Sequence, residues 1–130
     1  MYYEHISKIL EKIHKEDNTI HAFLAVYENE SLAKAEELDR KANAGKPLGR
    51  LAGKAIAIKN NIAIKGKKMT CGSKLLENYI APYNATVVER IEAEDGIIIG
   101  ATNLDEFACG SDTTHSAYFE TRNPLDTDYV

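Results

Sequence analysis

Two short apolar runs constrain this chain more than any other feature. Lys54-Ala55-Ile56-Ala57-Ile58 and Ile97-Ile98-Ile99-Gly100-Ala101 are brief, β-branched and bounded by Gly53, Asn60-Asn61 and the Asp95-Gly96 turn, which predicts buried strands. Between them, residues 85–94 place Val87, Val88 and Ile91 on one side of a helical projection and Glu89, Arg90 and Glu92 on the other. Strand, amphipathic helix and strand in that order predict a parallel βαβ unit covered on both faces. Two strands do not make a closed sheet, so the unit is expected to belong to a larger α/β sheet. Residues 126–130 carry no helix stop or packing signal, and the chain is expected to end in mid-domain.

The segment before this unit reads as helical. Ile6, Ile9, Leu10 and Ile13 recur at the spacing of one helix face, and Asp17-Asn18 is expected to break it. Residues 22–27 form a short apolar stretch. Residues 30–44 are rich in helix formers, with Gly45 and Pro47 placed to stop a second helix. Each helix has one apolar face that it cannot bury alone. The pair therefore reads as an arm packed on the rest of the chain, or else as a stand-alone hairpin. Beyond the first strand, a Gly-punctuated stretch at 66–72 precedes a short helix near 73–78. A second short helix is expected near 104–107, followed by loop to residue 130.

Composition removes several classes of function. The chain is 44% hydrophobic and 28% charged with a formal net charge of −4, which argues against a nucleic-acid clamp. No apolar run approaches a membrane span, and residues 1–5 resemble no signal peptide. The two cysteines, Cys71 and Cys109, lie far apart and are expected to be reduced thiols. The four histidines form no HxH, HExxH or Cys-paired pattern, so no metal site is expected. Gly49-Arg50-Leu51-Ala52-Gly53-Lys54 fails as a phosphate loop. Only three residues separate its glycines, Ala55 follows the lysine, and the strand comes after the loop.

Three groups remain as candidates for chemistry. Lys59 ends the first apolar run, where α/β sheets place functional groups. Alternation puts it on a face with Ala55 and Ala57, so partial burial and a lowered pKa are expected if it acts as a base. The competing reading is a strand-end lysine reaching water. The acid pair Asp105-Glu106 and the group Glu92, Glu94 and Asp95 read as solvated helix faces or caps. Ser111, Asp112 and His115 have the residue types of a catalytic triad, but three such types within one loop read more simply as a turn with capping side chains.

Five stretches together resemble the amidase signature family: LAGKAIAIKNNI at 51–62, TCGSKLLENY at 70–79, ATVVER at 85–90, IGATNLDEFA at 99–108 and TRNP at 121–124. Within that family the likeness is to the A subunits of tRNA-dependent amidotransferases, and the N-terminal helix pair shares in it. Three positions depart from the family pattern. Asn60 stands where Asp is common, Ala55 where Pro is common, and Asp112 where Ser or Thr is usual.

The resemblance implies an α/β fold with an N-terminal helical arm at 1–47. It is followed at 48–130 by part of the mixed-sheet α/β/α amidase-signature core. It also implies a Ser–cis-Ser–Lys triad in which Lys59 is catalytic and both serines follow Val130. Cys109, Gly110 and Ser111 would border the substrate, and no metal is implied. The intact enzyme would hydrolyse glutamine and pass ammonia on, with amidotransferase subunits B and C as partners. ATP and Mg, and most contact with mischarged tRNA, would belong to the partner subunit. The location implied is cytoplasmic, with no membrane association. Two alternatives stay open: a stand-alone helical and βαβ binding module or inactive remnant, and another amidase of the same family.

Overall fold

The computed structural model describes residues 1–130. Helix α1 spans Tyr2–Ile20, strand β1 Phe23–Val26, helix α2 Glu28–Asn43, strand β2 Ala55–Lys59, helix α3 Thr86–Ala93 and strand β3 Ile97–Thr102. The sheet order is β1-β3-β2. β2 runs parallel to β3, and β1 runs antiparallel to it. The βαβ unit expected from the two apolar runs is therefore present, and β1 makes the sheet mixed.

Residues 22–27, read only as an apolar stretch, supply that third strand. Four residues are too few for alternation to declare itself, and β1 is defined by its pairing with β3. The break expected at Asp17-Asn18 does not occur there. α1 runs on to Ile20 and ends at His21, whose φ is 56°. Asp17 builds the stop itself: its carbonyl accepts the His21 N–H at 2.7 Å, and its carboxylate accepts the Ala22 N–H at 2.7 Å. Gly45 takes up a left-handed φ of 65° just beyond α2, where a residue with a side chain would be strained.

Ile6 and Leu10 of α1, Ala35 and Leu38 of α2, and Ile97 and Ile99 of β3 form one hydrophobic cluster. Leu48 and Ala55 pack against it, so residues from both the helical pair and the later segment meet in one core. Ile98 alternates to the opposite side of β3, where it lines a surface cavity with Ile64. The helix pair is locked end to side. Asp39 of α2 accepts the Tyr2 and Tyr3 N–H groups at 2.8 and 3.0 Å, filling donors that the start of α1 would otherwise leave open.

Smaller expectations are revised. In α3, Val88 is fully buried but Val87 is 47% exposed and does not point inward. The short helix near 73–78 is one 3-10 turn at Lys74–Leu76, capped by the Ser73 hydroxyl accepting the Leu75 N–H. The helix near 104–107 is replaced by a 3-10 turn at Glu106–Ala108, interrupted by left-handed Phe107. No helix is long and apolar enough to cross a membrane.

Candidate active site around Lys59

Lys59 is the last residue of β2 and pairs in register with Thr102 of β3. The next residue, Asn60, is buried and fixes the chain as it leaves the sheet. Its N–H donates to the Thr102 carbonyl at 3.1 Å. Its Oδ1 accepts both the N–H and the hydroxyl of Thr70, each at 2.7 Å, and its Nδ2 donates to the Lys68 carbonyl at 3.0 Å. The segment carrying Thr70 and Cys71 is thereby tied beneath the strand end.

Lys59 itself is exposed. The partial burial expected from its small neighbours is not realised among these residues. β2 is an edge strand, and Ala57, on the same side, is exposed as well.

The carboxyl end of β3 delivers the opposing wall. Asn103, Leu104 and Asp105 follow the strand and are buried. Asn103 Oδ1 accepts the Ser116 hydroxyl at 2.7 Å, and its Nδ2 donates to the Phe119 carbonyl at 2.8 Å. Asp105 Oδ2 accepts the N–H groups of Asp112 and Thr113 at 3.2 and 3.0 Å, and Oδ1 accepts that of His115 at 2.9 Å. Burial pushes the Asp105 pKa up, but the three backbone donors together outweigh it and hold the carboxyl below its ordinary value. Gly110 lies directly on this carboxylate, where an added Cβ would overlap the Asp105 side chain.

The two walls border an open cavity of about 150 Å³ lined by Lys59, Asn103, Asp105, Gly110, Ser111 and Thr113, with Leu104 and Ala108 as apolar contributors. Of the residues expected to border a substrate, Gly110 and Ser111 lie in it with Lys59. Cys109 is exposed and outside it. Cys71 is half-buried, and burial raises its thiol pKa.

The triad types within the loop do not assemble. Asp112 Oδ1 accepts the N–H and hydroxyl of Thr114, His115 Nδ1 lies 3.6 Å from Asp105, and the Ser111 hydroxyl bonds neither. Ligand atoms of Asp105, Asp112 and His115 fall within 4.8 Å of one another. Three N–H donors of the loop are gathered on the Asp105 oxygens, so within this cluster Asp105 acts as a loop anchor.

Asp105 and Asn60 are the residues that sequence reasoning undervalued. Asp105 stood in an acid pair assigned to a solvated face or cap. Its donors come from positions seven to ten residues later, and no local periodicity announces them.

The amidase family model matches residues 4–130. Over 113 residues the chain is 58% identical to the glutamyl-tRNA(Gln) amidotransferase A subunit of Chlamydia abortus, covering 87% of this chain and 23% of that one. The solved structure of the corresponding Thermotoga maritima protein, also a glutamyl-tRNA(Gln) amidotransferase A subunit, is 39% identical with a TM-score of 0.72, over 91% of this chain and 23% of the other. A bacterial aryl acylamidase of the amidase signature family is 25% identical with a TM-score of 0.91, over 98% of this chain and 27% of the other. The chain thus spans about a quarter of the length of the curated relatives it matches.

Proposed function

The chain belongs to the amidase signature family, and on that premise we propose that it is the N-terminal part of the amide-hydrolysing A subunit of a tRNA-dependent amidotransferase. The observation that carries this reading is the position of Lys59. It stands at the carboxyl end of a parallel strand and lines one cavity with Gly110 and Ser111. The 58% identity to a protein of that name supports the choice within the family.

In the proposed reaction, Lys59 accepts a proton through a bridging cis-serine from a second serine. That serine oxygen attacks the amide carbon of glutamine. The carbon–nitrogen bond breaks, ammonia leaves with a returned proton, and water then hydrolyses the γ-glutamyl ester. Both serines are assigned to sequence that follows Val130 in the longer protein. Gly110 and Ser111 border the substrate. Ammonia passes to a partner, with subunits B and C forming a heterotrimer that works in the cytoplasm. ATP, Mg and most of the tRNA contact belong to the partner subunit. The whole is a ligase that uses glutamine as amide donor.

A second reading, an amidase acting on other amides, is favoured by one observation. The backbone superposes better on the aryl acylamidase than on the Thermotoga protein, at TM-scores of 0.91 and 0.72. Ammonia release from glutamine, measured beside hydrolysis of an aryl amide by the intact protein, separates the two. The amidotransferase reading predicts glutamine turnover by the intact enzyme and none by residues 1–130 alone. Turnover of glutamine by the 130-residue chain with ordinary kinetics contradicts it. Preference of the intact enzyme for the aryl amide favours the second reading.

A further inference from the structure

We propose that Asp105 is a positioning residue for the Lys59 site: its buried carboxylate gathers the backbone of residues 112–115 and so holds Gly110 and Ser111 in the cavity wall with Lys59. The inference rests on the reading above, that this cavity receives the amide substrate.

Three observations carry it. First, the Asp105 side chain is 4% exposed, and its oxygens accept three backbone N–H groups from the loop that it anchors. A carboxylate can take all three, whereas an amide would present its own donors to one or more of them. Second, Gly110 rests against that carboxylate so closely that no Cβ fits. Position 110 is therefore set by where Asp105 stands. Third, Phe107, Ala108 and Thr113 hold left-handed φ values of 51°, 61° and 67° without being glycine. Such conformations persist where surrounding contacts impose them. The Asp105 bonds to Asp112, Thr113 and His115 are contacts of that kind.

The loop is also held from outside. The Phe107 N–H donates to the Cys71 carbonyl at 2.8 Å, and the Ser73 hydroxyl donates to Glu106 at 2.5 Å. These ties secure the start of the loop. Residues 112–115 are closed back onto its start, across Gly110 and Ser111, by the three N–H bonds to Asp105 and by the Glu106 N–H donating to the His115 carbonyl at 3.1 Å.

The test uses the intact enzyme with Asp105→Asn, Asp105→Ala and Gly110→Ala, and Lys8→Ala as control. Ammonia release is followed over a range of glutamine concentrations, and hydrogen exchange is followed across residues 106–116. Asp105→Asn and Gly110→Ala are expected to lower kcat/KM by roughly 10- to 100-fold, mainly through KM. Amides of 106–116 should exchange faster while α1 and α2 keep their protection. Lys8→Ala should change neither, because Lys8 pairs with Glu4 on the exposed side of α1. Should Asp105→Ala fail to fold, Asp105→Asn, which keeps the size of the side chain, decides in the same way. Folded variants with unaltered KM and unaltered exchange overturn the proposal. A wild-type enzyme that releases no ammonia overturns the functional reading as well, and the two failures are thereby told apart.

Discussion

Asn60 makes a hydrogen bond that an aspartate at this position could not make. Its Nδ2 donates to the Lys68 carbonyl while Oδ1 accepts from Thr70. Asn60→Asp would keep the Thr70 bonds and set a buried carboxylate oxygen against a carbonyl oxygen. The expected cost is about 1–3 kcal/mol at neutral pH, read as a lowered denaturant midpoint. Acidification, which protonates the new carboxyl and restores a donor, should recover part of it. A variant as stable as the parent at neutral pH would mean that the loop at Lys68 readjusts freely. Of the site, Lys59 was marked in the sequence by the stretch at 51–62, while Gly110 and Ser111 lie just past the one at 99–108. The role of Asp105 was not legible, because a carboxylate beside Glu106 looks the same in sequence whether it faces water or loop N–H groups.

Among the elements, the α3–β3 turn depends on Asp95. This residue is left-handed at φ 62° and buried, and it joins three parts of the chain. Its carboxylate accepts Lys41 Nζ at 2.6 Å and the Gly49 N–H at 2.7 Å, with Lys34 Nζ at 3.7 Å. The Lys41 bond first, and then the Gly49 N–H, hold its pKa below the ordinary aspartate value. A folded-state pKa below the unfolded one means that the contribution is fully present above the unfolded value. It is lost as pH falls through the folded value. Thermal melts should therefore show Asp95→Ala destabilised by about 1–3 kcal/mol at neutral pH. The gap to the parent should shrink as pH falls below the ordinary aspartate range. A gap that stays constant well below that range would assign the loss to the turn geometry and not to the charge. Sequence reading marked Asp95-Gly96 as a turn but could not name its partners, which lie 46 to 61 residues earlier. β1 was missed for a related reason, since its identity as a strand resides in β3.

At the scale of the whole molecule, the helix pair and the βαβ unit share one core around Ile6, Leu10, Leu38, Ile97 and Ile99. The apolar periodicity of both halves was readable, and so the fold class was readable. The antiparallel edge, the cap of α1 by Asp39 and the carboxylate under Gly110 required the tertiary structure, because each joins residues too distant for a local pattern. The exposure of Lys59 on an edge strand is the point at which these 130 residues and the proposed chemistry stand furthest apart.

The most direct measurement is ammonia release from glutamine by the intact enzyme carrying Lys59→Ala, compared with its parent. The proposal predicts a loss in kcat of about 10²–10⁴-fold or more, with the fold and the hydrogen-exchange protection of residues 106–116 unchanged. A folded Lys59→Ala enzyme that keeps its parent's kcat would contradict the assignment of Lys59 as the base.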